Sequence, residues 1–297
     1  MKTPTVTITF PTFNGWQDTK ECLNSLSKLD YPRSKIEIIV IDNNSSDHTP
    51  DKISNYFPNV EIIKMQKNLG YAKAVNIAVG KSHAKYILFS NNDVVLDKDY
   101  VINMVKVAET DPKIGIIGSL VYLKKPRGKI GFNGLKINPY LGYHQYDLKN
   151  LENIRDCDIP PPGGFFVRKS LIDDIGSLDE GFFLYFEDVD FCLRAKRKGY
   201  KIIFNPKAIT YHGHAKTTLR QSFHQIVYQG YRSKWRCIFK NATLPQIISS
   251  IITQFTIFII LENIKSNPKT AKDLFLALIW NLKSLKLTLA ARKKAYG

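Results

Sequence analysis

Apolar runs and helix-patterned segments alternate through the first hundred residues, and this order constrains the fold more than any other feature of the chain. Four runs rich in β-branched and aromatic residues predict strands, and they span residues 6–13, 36–41, 60–65 and 86–89. Three segments with apolar or small residues at helical spacing lie between them, at residues 18–29, 47–57 and 70–80. Strands that alternate with helices form parallel sheets covered on both faces. The sequence therefore predicts an α/β fold with a mostly parallel sheet.

Small polar clusters follow the predicted strands. They occupy residues 11–15, 42–47, 68–71 and 91–93. Turn and cap chemistry explains any one of them, but it explains four in succession less well. In open α/β sheets, ligands bind beyond the carboxyl ends of the strands. The clusters therefore predict a ligand site at that edge of the sheet.

A second candidate site is a group of carboxylates, Glu187, Asp188 and Asp190, flanked by aromatic residues at the start of a predicted helix over 188–198. A carboxyl group beside apolar rings has a raised pKa, because burial disfavours its charged form, and this is how a general base is tuned. The alternative is that these carboxylates only complement the helix dipole. Before them, residues 114–123 predict a strand, and prolines and glycines at 160–164 break the chain. After them, two short strands are predicted at 201–204 and 208–211.

The last eighty residues form a basic, apolar region. Helices are predicted there over residues 218–240, 246–262 and 271–290. Residues 220–297 carry 13 lysines and arginines against 2 acidic residues, a net of +11, whereas residues 1–219 carry 30 against 24. Apolar faces rimmed by cations are typical of helices in a membrane interface, and the alternative is helices that pack on their own domain. A nucleic-acid partner is a third explanation of the total charge of +17.

Neither a secreted nor a membrane-anchored protein is expected. The four cysteines are scattered without the spacing of a zinc or redox motif, and no apolar signal core follows the first residue. The longest apolar run, 247–261, is interrupted by polar residues and is shorter than the ~20 residues that a spanning helix needs. We therefore expect a cytoplasmic protein with reduced thiols, peripheral on the inner face of the cell membrane.

Taken together, the motifs resemble those of the inverting family 2 glycosyltransferases with the glycosyltransferase A fold, and most of all the rhamnosyltransferase-type enzymes of cell-surface polysaccharide assembly. The match covers about residues 5–215. Its motifs are residues 11–15 (PTFNG), 40–47 (VIDNNSSD), 68–71 (NLGY) with Asn76, 91–93 (NND), 163–166 (GGFF) and 186–194 (FEDVDFCLR) with His212.

The resemblance implies a glycosyltransferase domain over residues 1–217 and a basic amphipathic helical region, membrane-associating, over 218–297. It implies a Rossmann-like sheet flanked by helices, with that region as a C-terminal helical extension. The residues implied for binding the nucleotide sugar are Pro11, Thr12, Asn14, Asp42, Asn43, Asn68, Gly70, Asn76, Asn92, Asp93 and Gly164.

The same resemblance implies a divalent metal, Mg²⁺ or Mn²⁺, held by Asp93 and His212. His214 is a competing ligand, and Asn91 stands where the family has the first aspartate of its metal motif. Asp188 is the implied general base, with Glu187 as the alternative. Asp190 is expected to cap the helix or to orient Arg194.

The implied reaction is inverting transfer of L-rhamnose from dTDP-rhamnose to a saccharide or a polyprenyl-diphosphate-linked acceptor. The alternative within enzymes is transfer of galactofuranose, glucose or an N-acetylhexosamine from UDP. The alternatives outside enzymes are an inactive nucleotide-sugar-binding scaffold and a nucleic-acid-binding protein. We expect an anionic membrane surface as a partner and do not expect nucleic acid. The sequence leaves open whether the protein forms a homo-oligomer.

Overall fold

The computed structural model describes residues 3–124, 126, 128–132, 134–141, 143–146, 151–161, 163–213, 223–261 and 268–296. The strands are β1 (Val6–Thr12), β2 (Ile36–Asp42), β3 (Glu61–Lys64), β4 (Tyr86–Ser90), β5 (Val94–Leu96), β6 (Ile114–Leu123), β7 (Ile130–Phe132), β8 (Leu135–Asn138), β9 (Tyr143–Tyr146), β10 (Arg155–Asp156), β11 (Gly164–Arg168) and β12 (Lys201–His212). The helices are α1 (Trp16–Leu26), α2 (Thr49–Tyr56), α3 (Tyr71–Lys81), α4 (Tyr100–Ala108), α5 (Lys169–Ile175), α6 (Glu187–Arg197), α7 (Phe223–Asn241), α8 (Leu244–Leu261), α9 (Pro268–Lys283) and α10 (Leu285–Tyr296).

The main sheet runs in the order β10-β12-β6-β11-β4-β1-β2-β3. Strands β4, β1, β2 and β3 are parallel, as the alternation of strands and helices predicts. Strand β11 lies antiparallel between β4 and β6, and β12 is parallel to β6. The sheet is therefore parallel only in its first half and mixed beyond it, which confirms the α/β class.

Hydrophobic residues on alternate positions of the sheet feed two separate cores. In β4, Tyr86 and Leu88 pack with α1 and α4 on one face, whereas Ile87 and Phe89 pack with α3, α5 and α6 on the other. Successive side chains of a strand point to opposite faces, so a strand covered on both sides is apolar throughout. Because helices cover both faces of the sheet, the carboxyl ends of its parallel strands lie together along one edge.

Strand β12 corrects the prediction of two short strands at 201–204 and 208–211. It is one strand, and its register against β6 shifts between Asn205 and Ile209. Pro206 lies in that shift, and proline cannot donate a ladder hydrogen bond. The irregularity lets the chain continue along β6 until it reaches His212.

The last predicted helix, over 271–290, is two helices, α9 and α10, with Ser284 between them. Both helices pack against α7. Ala277 of α9 and Thr288 of α10 are fully buried.

The carboxyl half of α7 packs inside the protein, so the prediction that this aromatic helix lies in a membrane interface is wrong there. Trp235, Ile238 and Phe239 are buried in a cluster with residues of α9. The packing alternative is correct for this half of the helix. Among the helices of the described residues, none is long and apolar enough to cross a membrane.

Buried ion pairs join α7 to α6 and to the segment before it. Asp190 is fully buried and accepts hydrogen bonds from Arg194 Nε at 3.0 Å and from Lys240 Nζ at 2.8 Å. Lys240 Nζ also donates to Asp179 at 2.8 Å, and Arg236 pairs with the same carboxylate at 3.1 Å. Burial acts to raise the pKa of Asp179, but the charges of Lys240 and Arg236 outweigh it and lower the pKa to about 2. The expectation that Asp190 orients Arg194 is confirmed.

Replacing Lys240 by methionine should destabilise the protein by about 1.5–3 kcal/mol, because the buried carboxylates of Asp179 and Asp190 each lose a charge-assisted hydrogen bond and keep one cationic partner, Arg236 and Arg194. The free energy of unfolding from urea titration at pH 7 measures this. The control is Lys286→Met, since Lys286 is exposed on α10. A loss of less than about 1 kcal/mol in the Lys240 variant would contradict a structural role for the network.

Candidate active site

A cleft of about 640 Å³ lies where the loops after β1, β2 and β4 meet the turn before α6 and one side of α7. Polar loop residues form one part of its wall, and apolar residues form much of the rest. Eleven of the residues singled out from the sequence line it: Pro11, Thr12, Asn43, Asn68, Gly70, Asn92, Asp93, Gly164, Glu187, Asp188 and His212.

The loops after β1 and β4 are joined through their side chains. Asn92 Nδ2 lies 3.5 Å from Thr12 Oγ1 and 3.3 Å from Thr19 Oγ1, and the two hydroxyls lie 2.9 Å from each other. All three side chains are buried. Because the Asn92 amide is bound in this way, it holds the strand ends together and leaves Asp93 to face the cleft.

The loop after β2 holds the start of α3. Asn43 Nδ2 donates to the Gly70 carbonyl at 3.2 Å, and Asn43 Oδ1 accepts from the Leu69 N–H at 3.3 Å. Gly70 has φ of +79°, and a Cβ there would lie 2.3 Å from the Phe183 carbonyl oxygen. Only glycine fits this close approach, which brings the 183–186 turn against α3.

Three predicted donor-binding residues, Asn14, Asp42 and Asn76, do not line the cleft. Asn14 Oδ1 accepts from the Ser46 N–H at 2.7 Å, so this residue connects the loops after β1 and β2. Asp42 is buried at the end of β2 and accepts from the Ser45 N–H at 3.1 Å.

Asn76 lies on another side of α3, where its amide bonds to the 177–178 segment. Its Nδ2 donates to the Leu178 carbonyl at 2.9 Å, and its Oδ1 accepts from the Leu178 N–H and the Ser177 hydroxyl. It therefore anchors the 177–178 segment instead of contacting a ligand in the cleft. The sequence pattern could not separate this structural use of an asparagine from a binding one.

Asp93 and His212, 119 positions apart, meet in the cleft. Asp93 directly precedes β5, and β5 pairs antiparallel with the end of β12, where His212 lies opposite Val94. His212 Nε2 is 3.1 Å from Asp93 Oδ1. Burial acts to raise the pKa of Asp93, but the hydrogen bond and charge of His212, with Lys124, hold that pKa below its usual range.

This pair fits an open divalent metal site. A carboxylate oxygen and an imidazole nitrogen together suit Mn²⁺, while Mg²⁺ prefers oxygen ligands alone. No group of three or more His, Cys, Asp or Glu side chains that could hold a metal occurs within the described ranges. Two protein ligands would leave positions for substrate oxygens, as a catalytic site requires. His214, the competing ligand, lies outside the described residues.

The turn before α6 has an unusual backbone. Tyr185 and Phe186 have φ of +67° and +63°, a conformation that bulky residues rarely adopt and that costs of order 1–3 kcal/mol each. The turn directs the first residues of α6, Glu187 and Asp188, into the cleft. Asp188 Oδ1 accepts the Val189 N–H at 2.8 Å.

The two adjacent carboxyl groups differ in surroundings. Burial, and then the charge of Asp188, raises the pKa of Glu187 to about 8, so Glu187 holds a proton at neutral pH. Its Oε2 is buried without a hydrogen-bond partner among the described residues. Burial also raises the pKa of Asp188 above the ordinary aspartate range. A neutral acid beside an ionisable carboxylate is an arrangement that can separate the roles of two such groups.

Several cleft residues were not predicted from the sequence. Ile226 and Gly230 of α7 line it, together with Leu135 and Ile159 beside the β8–β9 hairpin. The one sequence signal for this wall is a glycine in the middle of a helical pattern. Gly164, which was predicted, begins β11 with φ of +129°, and a Cβ there would lie 2.8 Å from the Phe89 carbonyl oxygen.

Comparison with known proteins finds relatives among the glycosyltransferases. AglE, a glycosyltransferase of Haloferax volcanii, is 24% identical over 212 residues, which are 70% of this chain and 67% of that protein. The N-acetylglucosaminyl-diphospho-decaprenol L-rhamnosyltransferase of Mycobacterium tuberculosis is 24% identical over 213 residues, 62% of this chain and 69% of that one.

A solved mannosyltransferase from Pyrobaculum calidifontis, in complex with GDP-Man and Mn²⁺, shares the fold. Its TM-score is 0.60 at 18% identity, over 97% of this chain and 81% of that one. The model of glycosyl transferase family 2 matches residues 7–176, more than half of the chain. The chain therefore belongs to glycosyl transferase family 2 and is a glycosyltransferase.

Proposed function

We propose that this protein transfers a sugar with inversion from a nucleotide-diphosphate donor, L-rhamnose from dTDP-rhamnose in the first instance, to a saccharide or polyprenyl-diphosphate-linked acceptor. The observation that carries the proposal is that Asp188 shares one cleft with the Asp93–His212 pair. The name of the mycobacterial relative supports L-rhamnose as the sugar and a diphosphate-linked lipid as the acceptor.

The donor contacts the polar part of the cleft. Thr12, Asn43 and Asn68 line this part of the cleft, at the strand ends where α/β sheets bind nucleotide ligands. Asp93 and His212 are the residues that would hold Mg²⁺ or Mn²⁺, and a bound cation neutralises charge on the leaving diphosphate.

Asp188 acts as the base. It takes the proton of the acceptor hydroxyl while that oxygen bonds to the anomeric carbon and the carbon–phosphate oxygen bond breaks. One displacement without a covalent enzyme intermediate inverts the anomeric centre, by the logic that separates inverting from retaining glycosidases. Burial and the charge of Asp188 raise the pKa of Glu187 to about 8, which favours Asp188 over Glu187 as the base at pH 7.

Transfer of galactofuranose, glucose or an N-acetylhexosamine from UDP is the runner-up, because the cleft contacts do not encode the base or the sugar. An inactive nucleotide-sugar-binding scaffold remains an outcome of the test, since Asn91 replaces an acidic residue. A nucleic-acid partner is the other outcome, motivated by the charge of +17.

The test is a donor screen with the variant Asp188→Asn. Wild-type protein with Mg²⁺ or Mn²⁺ and a polyprenyl-diphosphate-linked N-acetylglucosamine should release nucleoside diphosphate from one of dTDP-rhamnose, UDP-glucose, UDP-N-acetylglucosamine and UDP-galactofuranose. Asp188→Asn should lower kcat by about 10²–10⁴-fold, because it removes the base, while calorimetry finds donor binding unchanged.

The matched control is Glu187→Gln, which keeps the shape of a neutral carboxyl group and should retain activity within about tenfold. If Glu187→Gln were inactive and Asp188→Asn active, Glu187 would be the base. Donor binding without turnover would support the scaffold, and binding of oligonucleotides without any donor would support the nucleic-acid alternative.

The activity should depend on pH through this carboxyl pair. A base works only when deprotonated, so kcat/KM should fall as the pH drops through the pKa of Asp188. Because burial raises this pKa, the midpoint of the fall should lie above the ordinary aspartate pKa of ~3.9. Near pH 8 Glu187 loses its proton, and its negative charge adds to that of Asp188 and repels the donor's diphosphate. The value of kcat/KM should therefore fall again at alkaline pH.

The pH profile of kcat/KM between pH 4 and 9.5 measures both limbs. Glu187→Gln should remove the alkaline fall and keep the acid limb. An acid limb at the ordinary aspartate pKa, or an alkaline fall that survives in Glu187→Gln, would contradict this assignment.

We also propose that residues 218–297 hold the enzyme at an anionic membrane surface, on the inner face of the cell membrane, next to the catalytic domain of residues 1–217. The C-terminal apolar patch supports this: it comprises the exposed residues Leu244, Ile248, Ile252, Phe275, Leu276, Leu282, Leu287 and Leu289. Exposed Lys272, Lys283, Lys286 and Lys293 accompany it on α9 and α10. Exposed apolar groups with cations beside them suit an anionic lipid surface.

Binding to vesicles of phosphatidylglycerol and phosphatidylcholine should be measured by co-sedimentation. The double variant Ile248→Glu/Ile252→Glu should weaken it about tenfold or more, because two apolar contacts are lost and two negative charges are gained. Ile154→Glu is the matched control, since Ile154 is equally exposed but outside the patch. Equal binding by all three proteins would contradict the proposal, and self-association lost in the double variant would point to a homo-oligomer instead.

A further inference from the structure

Gly230 lies in the middle of α7, where a glycine is unfavourable. Glycine is the poorest helix former after proline, because it loses the most backbone freedom on folding. Its backbone is not in the left-handed region, so no backbone conformation requires glycine at this position. The helix spans Phe223–Asn241, and Gly230 is seven positions from its start.

Packing does not explain this glycine either. Among the residues that the structure describes, no atom would lie within 4 Å of a Cβ at Gly230. By contrast, a Cβ at Gly181 would lie 2.0 Å from the guanidinium group of Arg236, so that glycine is needed for packing. Gly230 lines the cleft, and the space in front of it is therefore cleft space.

The wall that carries Gly230 is fixed beside the catalytic carboxylate. Ser233 Oγ, on the next turn of α7, donates to the Leu184 carbonyl at 2.7 Å. Leu184 belongs to the 183–186 turn, which leads directly into Asp188. The Asp190–Lys240 ion pair joins the two helices further along. The open space at Gly230 therefore lies on the same side of the cleft as Asp188.

The two sides of the cleft differ in chemistry. The loops after β1, β2 and β4 offer hydroxyl, amide and carboxylate groups, as a nucleotide sugar requires. The α7 wall and its neighbours offer Ile226, Leu184, Leu135 and the bare backbone of Gly230, none of which has a hydrogen-bonding side chain. Such a surface suits the C–H face of a sugar ring, with the ring's hydroxyls pointing away from it.

We propose that Gly230 keeps room for the acceptor, whose reacting saccharide ring rests its C–H face on Gly230 and Ile226 while its hydroxyl reaches Asp188. This inference rests on the proposed function and names the acceptor subsite within it. Gly230 is then a specificity-determining residue that limits the size of the acceptor.

Substitution at Gly230 separates acceptor binding from folding and from donor binding. Gly230→Ala should raise Tm by about 1–3 °C, because alanine favours the helix and fits the open space. Gly230→Leu should raise the acceptor KM about tenfold or more while the donor Kd from calorimetry stays unchanged. Gly80→Ala and Gly80→Leu are the matched controls, since Gly80 is an exposed glycine in α3 with equally open space and lies outside the cleft.

An unchanged acceptor KM in Gly230→Leu, with Tm intact, would overturn the inference. A weakened donor Kd would also overturn it, because the space would then belong to the nucleotide sugar. Absence of turnover in the wild type itself would instead overturn the proposed function.

Thiol labelling of Gly230→Cys gives a second readout that needs no turnover. The four native cysteines are buried, so the introduced thiol should react first with a maleimide. The polyprenyl-diphosphate-linked N-acetylglucosamine should slow this labelling, and UDP or dTDP alone should not. Protection by the nucleotide alone, or an unreactive thiol, would overturn the inference.

Discussion

The buried carboxylate of Asp190 is the interaction on which the rest of the site depends. It lies in the first turns of α6 and accepts hydrogen bonds from Arg194 within that helix and from Lys240 and Asn241 of α7. A charge without access to water is stable only when its partners are held in place. Asp190 therefore joins the helix that carries Asp188 to the helix that carries Gly230.

Two further devices place the reacting groups within this frame. The consecutive left-handed residues Tyr185 and Phe186 direct the first turn of α6 into the cleft, and the strain of that turn is offset by the packing around it. The pairing of β5 with β12 brings His212 to Asp93. The cleft therefore contains the pair Asp93 and His212, which suits a metal ion, and the carboxyl pair Glu187 and Asp188. A reaction with a diphosphate leaving group and a hydroxyl nucleophile needs both kinds of group.

The C-terminal region has two roles in this architecture. The inner face of α7 completes the cleft and buries its cations in ion pairs, so part of the positive charge of this region serves the fold. The outer faces of α8, α9 and α10 retain exposed apolar residues and lysines. Composition alone left both a membrane interface and packing on the protein's own domain open for this region, because a count of lysines does not distinguish a buried cation from a solvated one.

The sequence by itself determined the α/β class and the alternation of strands and helices in the first half, because apolar periodicity is a local signal. Its resemblance to a known family indicated eleven of the residues that line the cleft. It did not determine that Asn76 anchors a neighbouring segment, that β12 continues through a register shift, or that Gly230 and Ile226 form a wall of the cleft. Those outcomes depend on contacts between residues far apart in the chain, such as Asp93 with His212 and Asp190 with Lys240. Only the tertiary structure decides them, since the same side chain has different roles according to what the folded chain brings beside it.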